Sequence, residues 1–129
     1  MNHPEEELQK KILTKLFREY QVGVCFHVPN GEKRDPRVGY RLKLLGVRAG
    51  VCDLLIARPY GRMGWIEVKD KGKKPSSVQL KFHEDISKCG HKTYIVDDID
   101  QLEAIIEEWK KEDGSPSTPI TSRPYNSQG

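Results

Sequence analysis

The chain is poor in cysteine. Cys25, Cys52 and Cys89 are odd in number, scattered, and lack any paired spacing. This excludes a disulfide framework and reads as reduced, mostly buried thiols in an intracellular protein. Neither does the spacing of these cysteines relative to His27, His83 or His91 mark a zinc site. No apolar run approaches the length of a membrane span, no signal peptide opens the chain, and no internal repeat is visible. Charge of one sign is also scarce: 22 Lys and Arg against 19 Asp and Glu leave a net +3. Such an excess permits a polyanionic partner without demanding one, so its distribution matters more than its size. With 129 residues the chain can bury one core but not two.

What is present is periodic. Leu8, Ile12, Leu16 and Tyr20 recur every four residues, with Leu13 and Phe17 widening the stripe, which predicts a helix over 4–20. Pro4 suits its first turn, and Glu5, Glu6 and Glu7 suit the positive end of its dipole. A short strand is expected at 22–26, then a loop punctuated by Pro29, Asn30-Gly31 and Pro36, then one or two helical turns over 38–45 stopped at Gly46. Two branched, apolar runs at 51–57 and 65–69 flank a Pro- and Gly-containing turn and read as a hairpin. Ser76-x-x-Gln79 is a capping box opening a helix to about Cys89, with Val78, Phe82 and Ile86 inward and Gly90 as terminator. A further strand at 92–96 precedes a helix capped by Asp97 or Asp98, with Ile99, Leu102, Ile105, Ile106 and Trp109 facing the core. The order predicts an α/β domain over 1–112, a mixed central β-sheet flanked by α-helices, followed by a flexible tail at 113–129.

Three charges interrupt the hairpin strands: Asp53, Glu67 and Lys69. Alternation places Glu67 and Lys69 on one face, and an even register adds Asp53, roughly opposite Lys69. Two carboxylates suit Mg²⁺ or Mn²⁺, and an ammonium beside them suits the handling of an attacking water. An ordinary solvated strand face would carry the same pattern, so the pair alone decides nothing. Base is concentrated next to it. Lys33, Arg34, Arg37, Arg41, Lys43 and Arg48 outnumber Glu32 and Asp35, and Lys71, Lys73 and Lys74 follow the second strand. Such clustering favours phosphate contact over simple solubility.

Gly50-Val51-Cys52-Asp53, Ile66-Glu67-Val68-Lys69 and Gln79 on the next helix together resemble the PD-(D/E)xK nuclease superfamily. Phe26-His27-Val28-Pro29-Asn30-Gly31 and the run from Arg41 to Gly50 narrow the resemblance to the small stand-alone VRR-NUC family of phages and bacteria, over about residues 4–110. The resemblance implies a restriction-endonuclease-like core and a Mg²⁺- or Mn²⁺-dependent DNA endonuclease. Asp53, Glu67, the Val68 carbonyl and Glu5 would hold metal, with Glu6 and Glu7 as alternatives to Glu5. Lys69 and Gln79 would complete the catalytic set. Asn30, the basic loop and Lys71, Lys73 and Lys74 would touch DNA. It also implies structure-selective cutting of branched DNA such as Holliday junctions or flaps, a homodimer, and a cytoplasmic, phage-encoded protein acting in its host. Cys52 stands where many relatives have proline, and strand alternation predicts that its side chain points away from the site. The alternative is a DNA-binding or assembly module that kept the fold without cutting.

Overall fold

The computed structural model describes residues 4–29 and 36–114. Its elements are α1 (Pro4–Glu19), β1 (Val24–His27), α2 (Pro36–Leu44), β2 (Leu54–Ala57), β3 (Met63–Val68), α3 (Ser77–Lys88), β4 (Thr93–Val96) and α4 (Ile99–Asp113). The strands form one mixed sheet in the order β1-β2-β3-β4. β1, β2 and β3 are antiparallel, and β4 joins β3 in parallel after the α3 crossover, because a parallel partner cannot be reached by a tight turn.

Alternation sorts the side chains between two layers. Leu54 and Ile56 on β2, with Ile66 and Val68 on β3, face α1 and α4 and pack with Ile12, Leu16, Leu102, Ile106 and Trp109. Gly64 shares that face, and a Cβ there would lie 2.5 Å from the Trp109 ring; the indole occupies the place a side chain would take. Trp65 and Glu67 point the other way, toward α3, where Trp65 meets Phe82 at 5.7 Å between ring centroids. Arg58, buried where the β2–β3 turn begins, donates to the Tyr20 hydroxyl at 3.1 Å and to Glu112 at 2.6 Å, and its guanidinium lies 4.7 Å from the Trp109 ring centre. This ties the hairpin to the end of α4.

Several expectations need correction. The strand expected over 51–57 begins only at Leu54. Gly50 adopts φ +86°, and its missing Cβ lets the chain approach the Val78 carbonyl, so the chain turns there and bends again at Asp53 before the strand starts. Phe82 is buried as expected, but Val78 is half-exposed and His83 is buried with Phe82. Phe17 does not widen the core stripe; it is 80% exposed, because α1 is covered by α4 on one side only. Of the cysteines, Cys52 is buried, Cys25 half-buried and Cys89 exposed. Asn30, Lys33 and Arg34 lie outside the described residues, as does all of the tail expected over 113–129 but its first two residues; Asp113 ends α4 and pairs with Arg58 at 3.2 Å. No helix among the described residues is long and apolar enough to cross a membrane.

Candidate active site

Asp53 occupies the bend before β2, and its peptide is held from two sides. Its carbonyl accepts from the Val28 amide at 2.8 Å and lies 2.9 Å from His27 Nδ1, so the end of β1 fixes its height. Its carboxylate accepts from the Val68 amide at 2.7 Å. The β2–β3 register pairs Leu54 with Ile66, which carries Asp53 to the level of Glu67 rather than Lys69. The even register keeps both acids on one face.

Glu67 is 1% exposed and held by α3. Gln79 Nε2 donates to Glu67 Oε2 at 3.1 Å, while Gln79 Oε1 accepts from the Ser76 amide at 2.8 Å and Ser76 Oγ accepts from the Gln79 amide at 3.2 Å. The cap and the site therefore use opposite ends of one amide. Burial pushes the Glu67 carboxyl up to about 9, and the adjoining Asp53 carboxyl adds to the rise; Lys69 opposes it and Glu5 reinforces it. Two carboxyls this close, one of them dry, need a shared proton or a cation between them.

Glu5 reaches the same corner from α1, its carboxylate accepting from the Asp70 amide at 3.1 Å. Glu6 is exposed and Glu7 pairs with Lys10 at 3.2 Å, so Glu5 is the acid of the three that turns inward. Lys69 follows β3, its amide bonded to the Val96 carbonyl at 3.0 Å and its side chain half-buried. The basic residues are dispersed. Arg37, Arg41 and Lys43 are exposed on α2, and Lys74 is exposed in the connection that follows β3. Arg48 meets Asp85 at 2.6 Å and stands over Phe82, and Lys71 meets Asp98 at 3.3 Å. Lys73 lies 4.0 Å from Asp70.

Two residues that sequence reasoning did not place there pack behind Glu67, on its α3 side. His83 Nε2 lies 3.4 Å from Glu67 Oε1 and 3.6 Å from Cys52 Sγ. The expectation that Cys52 points away fails because 51–53 is not strand, so alternation does not govern it. Burial, with Glu67 and Asp53 nearby, pushes the Cys52 thiol up to about 12, and burial pulls His83 below its usual value. The signal for His83 was its position four residues after Gln79, on the same helix face.

A mixed four-stranded sheet between helices, with acids from the β2–β3 hairpin gathered under the following helix, defines a restriction-endonuclease-like nuclease fold. No protein-family model matches the chain. It is 38% identical over 86 residues to "Putative nuclease p44" of Acyrthosiphon pisum secondary endosymbiont phage 1, a match covering 67% of this chain and 89% of that protein. A solved structure described as a VRR_NUC domain superposes with a TM-score of 0.59 at 26% identity, covering 84% of this chain and 99% of the other. A second, described as a VRR_NUC domain protein, gives a TM-score of 0.65 at 24% identity, covering 86% and 91%; that likeness speaks for the fold alone. The chain belongs to the VRR-NUC family of nucleases.

Proposed function

We propose that the protein is a divalent-metal-dependent endonuclease that hydrolyses phosphodiester bonds in DNA, selective for branched structures. The observation that carries this is the pairing of Asp53 with a buried, Gln79-held Glu67 on one sheet face. Hard oxygen donors fit Mg²⁺ or Mn²⁺, and Asp53, Glu67, Glu5 and the Val68 carbonyl are the groups that would hold it. The ion supplies charge neutralisation at the phosphoryl oxygens and a lowered pKa for water. Lys69 orients that water and takes part in moving its proton. Gln79 fixes the Glu67 carboxylate so that its free lone pairs face inward. The Val68 amide does the same for Asp53.

DNA approaches over the basic residues. Arg37, Arg41 and Lys43 on α2, Arg48 after it, and Lys71, Lys73 and Lys74 beyond β3 contact the backbone, and the family resemblance adds Asn30, Lys33 and Arg34 as further DNA contacts. Branched substrates present two strands, and a two-fold homodimer offers two sites. β1 forms one edge of the sheet, and Phe17, Val22, Val24 and Phe26 around it are exposed. Beside it opens a groove of about 820 Å³ lined by Leu13, Phe17, Gly23, Cys25 and Ile56. An edge strand with an apolar flank is self-complementary, so a second copy is the occupant we assign. The domain over 1–112 acts as one unit in the cytoplasm of the host.

The test is Lys69→Ala with a labelled four-way junction. Binding is expected to stay near wild type while cleavage in Mg²⁺ or Mn²⁺ falls about 10²–10⁴-fold. Equal cleavage by the variant overturns the role of Lys69. Binding without nicks by the wild-type protein in either metal identifies a non-cutting module instead.

A further inference from the structure

We propose that Cys52, Glu67 and His83 form a second cation site, selective for zinc and similar thiophilic divalent ions, on the α3 side of the Glu67 carboxylate. The three side chains are 0%, 1% and 9% exposed, and their ligand atoms all lie within 4.8 Å of one another. A thiol, an imidazole and a carboxylate are the donor set of tetrahedral zinc, whereas magnesium takes oxygens.

The separations agree with that assignment. Zinc bonds of about 2.3 Å to sulfur and about 2.0–2.1 Å to nitrogen and oxygen, set at tetrahedral angles, put sulfur about 3.6 Å from nitrogen and nitrogen about 3.3 Å from oxygen. Cys52 Sγ and His83 Nε2 are 3.6 Å apart, and His83 Nε2 and Glu67 Oε1 are 3.4 Å apart. A hydrogen bond between imidazole and carboxylate settles near 2.9 Å, so the latter contact is longer than its own optimum. Two of the three separations are thus at ligand spacing, and the third lies within 4.8 Å. Gly50 makes this possible, since its close approach to the Val78 carbonyl brings the 51–53 bend against α3.

Near neutral pH, loading the site releases two protons, one from the Cys52 thiol as it becomes a thiolate and one that the Glu67 carboxyl holds in the metal-free protein; His83 enters neutral. Three protein ligands leave the fourth tetrahedral position for a water or another donor. On the reading given under Proposed function, Glu67 is shared with the catalytic cation. Zinc at Cys52 and His83 then draws Glu67 away from Asp53 and suppresses cleavage supported by Mg²⁺.

Cobalt(II) is the probe, because a thiolate ligand gives it a near-ultraviolet charge-transfer band. Titrating Co²⁺ into the metal-free full chain is expected to develop that band to one equivalent, and Zn²⁺ to abolish it. The band should vanish in Cys52→Ser, weaken in His83→Asn, and persist when Cys25 and Cys89 are both replaced by serine. A wild-type protein without the band, or a band lost with Cys25 and Cys89, overturns the site; both outcomes hold even if Cys52→Ser does not fold. In nuclease assays Cys52→Ser is expected to retain cleavage in Mg²⁺ and to need about 10–100-fold more zinc for half-inhibition. Equal zinc sensitivity removes the inhibitory role. A cobalt band in a protein that cuts no DNA substrate in Mg²⁺ or Mn²⁺ refutes the nuclease reading and leaves the cation site standing.

Discussion

Glu67 is the residue on which the acids proposed to hold metal, the capped helix and the Cys52–His83 pair all converge. Buried and set against Asp53, its carboxyl is pushed up to about 9, far above the usual carboxylate range. In the metal-free protein the folded state therefore keeps a proton that the unfolded chain loses in the ordinary range. Stability from this group is present at low pH and declines as pH climbs toward about 9. A saturating divalent cation should flatten or reverse that slope, since the cation favours the ionised form. Glu67→Gln removes the charge while keeping the shape. We expect it to abolish cleavage yet raise the metal-free melting temperature at neutral pH, by about 4–8 °C for each kcal/mol recovered. Melting curves across pH, with and without Mg²⁺, check both statements. A variant that melts lower than wild type at neutral pH would contradict the strain assigned to this carboxyl.

Helix α3 is where local signals and site geometry meet. Its capping box was readable from Ser76-x-x-Gln79, and the family resemblance made Gln79 a site candidate; in the structure one side chain both caps the helix and hydrogen-bonds Glu67. The cap sets the start of the helix, and the start sets where Gln79 and His83 arrive on Glu67. Ser76→Ala should therefore cost about 1 kcal/mol of stability and also slow cleavage, because Gln79 loses the contact that fixes its rotamer. Stability loss with unchanged cleavage, measured by denaturant titration and nicking rate, would separate the cap from the site. Of the inward stripe expected on the same helix, Phe82 is buried and Val78 is the member that departs. Val78 shares the periodicity of Phe82 but abuts the backbone at Gly50 and stays half-exposed. Periodicity identifies a face; it does not say which end of that face the neighbouring loop covers.

For the molecule as a whole, the proposed nuclease relies on charge spread over several elements and on an apolar edge. Backbone contacts by Arg37, Arg41, Lys43 and the lysines after β3 should make junction binding fall steeply with salt, with a log–log slope of about −0.9 for each phosphate neutralised. Reversing Lys43 and Lys74 together should flatten that slope by about two such increments in filter-binding titrations. Phe17→Asp changes an 80% exposed side chain, so the fold should tolerate it. Sedimentation should show a dimer for wild type and a monomer for the variant; a dimer in both places the interface elsewhere, with the exposed face of α2 the next candidate.

The helices, the two caps and the approximate positions of the strands were legible in the sequence alone, because periodicity and capping act over a few neighbouring residues; Asp53, Glu67 and Lys69 stood out as charges in apolar runs, and the resemblance to PD-(D/E)xK nucleases supplied their roles and added Gln79. Only the tertiary structure decided that Asp53 stands beside Glu67 rather than Lys69, that Glu5 and neither Glu6 nor Glu7 turns inward, and that Cys52 and His83 meet at Glu67. Each depends on how separate elements dock, and on a bend at 51–53 that follows no period. Local rules propagate along a helix or strand and stop where the chain leaves one.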